Sequence, residues 1–270
     1  MTLATGALLF LAAALGGALN SVAGGGSFLA FPALLFAGVP PVPANATNTI
    51  ALWPGSVASA FAYRRELAQE RSQLASLGAA SLVGGLAGSL LLLRTAESTF
   101  VLLIPWLLLF ATLLFSFGGP LARRLGGRAR APLPVAFALQ LGISVYGGYF
   151  GGGMGIMMLA VLTLLGMTHI HRMNALKITL GSLVNGVAVV AFVVAGAVRW
   201  GPGAVMIAGG VLGGYAGAAT ARRIDPRLVR GAVLALAWTM TLYFFGRTYL
   251  RDRIVPSGDR GETPAAATGR

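Results

Sequence analysis

Asn20-Ser-Val-Ala-Gly-Gly-Gly-Ser-Phe28 leaves one apolar segment, breaks at Gly24-Gly25-Gly26 and enters a second, and Gly151-Gly-Gly-Met-Gly155 repeats the break in the other half of the chain. The apolar runs that follow, at about 27–38 and 154–166, have only 12 and 13 residues. As straight helices they cover about 18 to 20 Å, against about 30 Å for the hydrocarbon core of a bilayer. They read as half-helices or re-entrant segments. Around them lie apolar runs at about 4–23, 45–63, 73–93, 98–117, 133–150, 174–198, 201–221 and 227–246, each near the roughly 20 residues a spanning helix needs. The expectation is an all-α membrane protein: a polytopic helical bundle of two tandem repeats with about 8 spans plus the two short segments.

Composition agrees with a lipid environment. Of 270 residues 56% are hydrophobic and 10% charged, where a soluble domain carries roughly 25% charged residues. Seven acidic residues do not clothe a soluble surface of this size. The net charge of +13 comes from 19 arginines and one lysine, and the arginines stand mostly between apolar segments. That placement belongs to membrane topology, because basic loops stay on the cytoplasmic side, and it gives no basic, aromatic-interleaved face for nucleic acid. With no cysteine, disulfides, Cys-ligated zinc and thiol catalysis are excluded. The first segment lacks a basic n-region and reads as a retained helix.

The two sets of segments align. Gly24-Gly25-Gly26 matches Gly151-Gly152-Gly153, and Asn45-Ala46 matches Asn174-Ala175 after a two-residue gap. Gly84-Gly85-Leu86-Ala87-Gly88 matches Gly213-Gly214-Tyr215-Ala216-Gly217, Arg94 falls on Arg223 and Phe115 on Phe244, all at an offset of 129. Matches in the same order point to internal duplication. The expected organisation is a first membrane repeat at 1–118, a basic cytoplasmic linker at 119–132 with Arg123, Arg124, Arg128 and Arg130, a second repeat at 133–246, and a disordered C-terminal tail at 247–270. If the short segments re-enter, the repeats are parallel; if they cross, they are inverted, as in many transporters. Segment length favours eight spans, while the arginines divide between the choices.

Three successive glycines weaken a helix and free its backbone for close approach to a ligand. Such a break survives inside lipid only where protein or a water-filled cavity satisfies it, and breaks at matching positions of two halves point to a binding site. The half-helices starting at Ser27 and Met154 aim N–H groups and positive dipole ends at the breaks, which favours an anion. The alternative is tight packing. Asn45, Thr47, Asn48 and Thr49, and Asn174, Lys177 and Thr179 in the second half, exceed what one N-cap requires; capping accounts for Asn45 or Asn174 alone. Lys177 is the only lysine, four residues into an apolar segment with no carboxylate nearby in sequence. A charge so placed is a functional hypothesis by default, against snorkelling to the interface. Asn185 lies eight residues on, sharing roughly one helix face with it. Asn20, Ser21, Ser56, Ser59 and Ser182 are further polar groups within apolar segments, the serines open to bonding within their own helix. His169-Ile-His171 lacks a third metal ligand. The candidate substrate-binding set is Gly24, Gly25, Gly26, Asn45, Asn48, Gly151, Gly152, Gly153, Asn174, Lys177 and Asn185, with no catalytic residue, metal or cofactor. The acidic residues all lie in loops, at segment edges or in the tail, which argues against a carboxylate proton relay. No P-loop, paired acids or Ser/His/Asp set is visible, so an enzyme or an ATP-driven pump is disfavoured.

Together Asn20 to Phe28, Pro43-Ala-Asn-Ala-Thr-Asn-Thr49, Gly151 to Gly155 and Met173-Asn-Ala-Leu-Lys177 resemble the sulfite exporter TauE/SafE family of membrane permeases, over about residues 4 to 246. The resemblance implies export or permeation of small anions such as sulfite and organosulfur compounds, with no ATP-hydrolysing subunit. Tyr146-Gly-Gly-Tyr149 before the second break departs from what many members show. The expected function is a secondary permease moving a small anion across the bacterial cytoplasmic (inner) membrane, its partners the bilayer and the anion, with the coupling ion open and a homo-oligomer allowed. The alternatives are an anion channel and a non-transport membrane subunit that binds a lipid or a partner.

Overall fold

The computed structural model describes residues 1–22, 25–125, 131–220 and 226–250. Among them the chain forms α1 (Leu3–Val22), α2 (Ser27–Phe36), α3 (Pro41–Ala62), α4 (Arg64–Leu67), α5 (Arg71–Arg94), α6 (Glu97–Leu125), α7 (Leu133–Tyr149), α8 (Met154–Leu164), α9 (Ile170–Val194), α10 (Trp200–Thr220) and α11 (Pro226–Phe245), with a π-helical turn at Gly246–Leu250. No strand occurs among the described residues, and the protein is an all-α membrane protein. Over those residues α1, α5, α6 and α9 are long and apolar enough to cross a bilayer.

The two short segments are helices of 10 and 11 residues, about 15 to 17 Å long. Both end where a glycine takes the left-handed conformation, Gly38 at φ 81° and Gly166 at φ 81°. At each end the next amide reaches back to close the last turn, Val39 to the Leu34 carbonyl and Met167 to the Leu162 carbonyl, which satisfies carbonyls a helix end otherwise leaves open.

The direction of the helices answers the question that arginines left open. Matching helices of the two halves run antiparallel. α6 and α11 meet at Thr112 and Thr241, whose hydroxyls are 3.0 Å apart and whose numbers differ by the repeat offset of 129; Trp106 then packs on Phe245, and Tyr249 donates to the Leu102 carbonyl. α3 and α9 cross where Trp53 Nε1 donates to the Ser182 carbonyl at 3.0 Å, again 129 residues apart. Near one end of that pair Arg172 meets Glu70 at 3.3 Å; at the other the Arg199 amide donates to Thr47 Oγ1 at 3.0 Å. Contacts of a position with its own equivalent are what a two-fold axis produces, here perpendicular to antiparallel helices. The contacts are reciprocal as well. α1 lies along α10, with Gly209 against Phe10 and Gly213 against Ala14, while α7 lies along α5, with Ser144 against Gly84 and Tyr149 against Gly88. These contacts have the geometry of inverted copies, and depart from the parallel repeats that went with the eight spans segment length favoured.

The larger buried core unites both halves through Phe31, Phe100, Phe150, Phe192 and Val233. The expected linker and tail fall partly outside the described residues, at 126–130 and 251–270. Within the expected tail, the π-helical turn continues through 247–250, where Tyr249 also accepts a hydrogen bond from Trp106 Nε1 at 3.0 Å.

Candidate functional site

Between the halves, where α3 crosses α9, lies a cavity of about 190 Å³. Both glycine breaks open onto it, through Gly25 on one side and Gly151, Gly152 and Gly153 on the other, together with Lys177 and Asn185 of α9. Gly25, Gly151 and Gly153 have φ of 92°, 82° and 77°, a conformation that costs residues with a Cβ about 1 kcal/mol or more. Gly153 thus turns the chain directly into α8. Among the described residues no carbonyl accepts from the amides of Gly152, Gly153 or Gly155, so the first turn of α8 carries open donors at its positive dipole end.

Lys177 is half-buried, and its stem lies beside that turn: a methyl group on Gly155 would stand 3.4 Å from Lys177 Cδ. Arg172–Glu70 is the ion pair among the described residues, and no described carboxylate lines the cavity. The positive charge of Lys177 has no protein counter-charge there. Asn185 faces the same space two turns further along α9.

The other sequence-derived candidates lie elsewhere. Gly24 is outside the described residues. The Gly26 amide donates to Asn20 Oδ1 at 2.8 Å, and its Cα packs against the Gly16 backbone, so that break has one donor already engaged. Asn45, 1% exposed, gives its Nδ2 hydrogen to the Tyr149 carbonyl at 2.9 Å. Asn48, 2% exposed, donates to Ser27 Oγ at 3.2 Å. Asn174 is half-buried and stands off the lining. His169 and His171 are exposed at the start of α9.

Asn20, Ser27, Ser56 and Ser59 also line the cavity. Ser56 and Ser59 spend their hydroxyl hydrogens on the Leu52 and Gly55 carbonyls, at 3.4 and 2.9 Å, as serines within helices do. The repeat offset carries a usable signal: Ser56 is the equivalent of Asn185, so both halves place a polar group at that level. Tyr146, noted only as a departure in the sequence, donates from its hydroxyl to the Gly152 carbonyl at 2.6 Å.

A polytopic helical bundle whose paired half-helices break at a cavity between its halves is the build of a membrane transporter. The chain belongs to the sulfite exporter TauE/SafE family, whose model matches residues 9–244. It is 28% identical over 236 residues to a probable membrane transporter protein of Haemophilus influenzae, covering 87% of this chain and 92% of that one. It is 29% identical to the probable membrane transporter protein YfcA of Escherichia coli K12, covering 87% of each, and 32% identical over 232 residues to the probable membrane transporter protein ORF9 of Sinorhizobium sp, covering 83% of this chain and 87% of that one. No solved structure matches the chain.

Proposed function

We propose that this protein is a secondary permease for a small anion, sulfite or an organosulfonate being the leading candidates, in the bacterial cytoplasmic membrane. The observation that carries the reading is Lys177: the single lysine of the chain, without a carboxylate partner among the described residues, lines the cavity onto which the open amides of the α8 break also face. A charge held partly out of water is costly unless paired, and an anion supplies the pair at each turnover. The Gly151–Gly153 break donates backbone hydrogen bonds, Asn185 orients the anion, and the serine oxygens hold water. At about 190 Å³ the space lies below the roughly 300–1,000 Å³ of pockets for drug-sized ligands, which suits a small oxyanion with a few waters. The family's description as sulfite exporters names the first anions to try.

Lys177→Met should abolish anion flux in proteoliposomes while the detergent-purified protein keeps its elution profile and thermal transition. Unchanged flux sinks the assignment. A thermal-shift panel of sulfite, sulfate, thiosulfate, sulfonates and carboxylates picks the substrate, since a ligand stabilises the state it binds; the stabilising anion should lose its effect in Lys177→Met.

A further inference from the structure

The cavity does not sit on the two-fold axis. On α9 it reaches Lys177, Ile178, Gly181 and Asn185; on α3 it reaches Leu52, Gly55, Ser56 and Ser59. The offset of 129 pairs Leu52 with Gly181 and Ser56 with Asn185, so these positions lie level with the axis and are shared. The rest are unmatched. Lys177 and Ile178 face the cavity and their equivalents Asn48 and Thr49 do not; Gly55 and Ser59 face it and their equivalents Val184 and Ala188 do not. Asn48, Val184 and Ala188 are only 2%, 0% and 0% exposed. The cavity is therefore displaced by about one helical turn toward the end where α9 begins and α3 finishes.

The opposite end is closed by a contact with no counterpart among the described residues. Asn45 ties the start of α3 to the end of α7 through the Tyr149 carbonyl, and Tyr149 is wedged edge-on against Phe100 with ring centres 5.7 Å apart. Asn174, the equivalent of Asn45, makes no hydrogen bond among the described residues and is half-buried at the end toward which the cavity is displaced. Asn45 Oδ1 is buried with no partner, so the closing contact meets only part of that side chain's hydrogen-bonding capacity.

We infer that Asn45 is the latch of one mouth and Asn174 the latch of the other, engaged in turn. In the opposite-facing state Asn174 bonds the end of α1, the Asn45–Tyr149 contact opens, and Asn48, Thr49, Val184 and Ala188 line the cavity in place of Lys177, Ile178, Gly55 and Ser59. The mechanism follows from inversion: two equal halves exchanging conformations turn the structure into its own other-side-open form. Lys177 then leaves the cavity in one state, so anion affinity falls as the site turns over. This rests on the permease reading and makes its alternating access specific.

The chain has no cysteine, so single-cysteine labelling with a membrane-impermeant thiol reagent in sealed vesicles of either orientation reads the two mouths directly. Ser59→Cys should label at least ten-fold faster than Ala188→Cys, from the face at which α9 begins. Adding Asn45→Ala should raise Ala188→Cys labelling at least five-fold, from the opposite face, and slow Ser59→Cys. Adding Asn174→Ala should do the reverse, which keeps the test alive if the first latch variant fails to fold. The latch is overturned if Ala188→Cys stays protected in Asn45→Ala, or labels from the same face as Ser59→Cys. Labelling that shifts as stated in a protein moving none of the anions tested would keep the latch and remove the permease reading. Flux without any shift would do the opposite.

Discussion

Tyr146 donates to the Gly152 carbonyl at 2.6 Å and is held by edge contacts to Phe110 and Phe150, at 5.2 and 6.4 Å between ring centres. With that carbonyl engaged by Tyr146, it is not left as a free acceptor competing at the cavity, while the Gly152 and Gly153 amides have no backbone acceptor among the described residues. A hydrogen bond of this kind contributes about 0.5–1.5 kcal/mol, and 1.4 kcal/mol is about ten-fold in affinity. Tyr146→Phe should therefore raise the KM for the transported anion by about three- to ten-fold with Vmax nearly unchanged. An unaltered KM would mean that the direction of the Gly152 carbonyl is immaterial to binding. No pattern in the sequence marks this role, because the hydroxyl reaches six residues ahead around a glycine turn that only the folded backbone defines. Lys177 was legible because a lone charge inside an apolar segment stands out without any geometry. Asn45 and Asn48 carry the same polar signal as Lys177, yet they are packed shut. Which half of a crossing helix faces a cavity is set by how the helices pack, and a pattern of polar residues along the chain does not say which.

Close helix approach is what glycine does along α1–α10 and α5–α7. A Cβ on Gly213 would overlap the Ala14 carbonyl, and one on Gly88 would overlap the Val145 carbonyl. Backbone atoms of the neighbouring helix cannot rotate away as side chains do, so even a methyl group forces the helices apart, at about 1–3 kcal/mol. Gly142, on the same α7, has nothing within 4 Å of where its Cβ would stand. Gly213→Ala and Gly88→Ala should lower the thermal transition in detergent by several degrees, at roughly 2–4 °C for each kcal/mol, and Gly142→Ala should leave it unchanged or raise it. Equal behaviour of the three would show that the contacts do not hold the bundle. At this scale the sequence was a good guide. The half-helices were legible from their length and flanking glycines, and the antiparallel pairing was not, since offsets in a repeat carry no direction.

Directions of the helices sort the arginines that could not be sorted along the chain. With α3 rising and α5 descending, the join at 63–71 lies on the face where α9 begins, marked by the Arg172–Glu70 pair. The 119–132 join comes to the same face, because the Ala131 amide that leads into α7 donates to the Leu164 carbonyl at the end of α8, at 2.8 Å. α10 runs alongside α3 in the same direction, with Gly210 by Ala51 and Gly214 by Gly55, and so ends toward that face as well. These three stretches, 63–71, 119–132 and 221–230, contain eleven arginines, whereas the joins between helices on the other face contain Arg94 and Arg199. Such asymmetry sets membrane orientation by the positive-inside rule. By that rule the face where α9 begins, toward which the cavity is displaced, is expected on the cytoplasmic side. The arginines beyond Arg247 run against this assignment, but they follow the last helix, where every earlier segment has already been oriented. Both termini should therefore lie outside the cytoplasm and the 119–132 linker inside. Alkaline phosphatase fused after Leu250 should be active and a fluorescent protein there dark, with the opposite pair of results for fusions placed after Gly118. Activity of the phosphatase at both points, or at neither, would rule out the inverted arrangement.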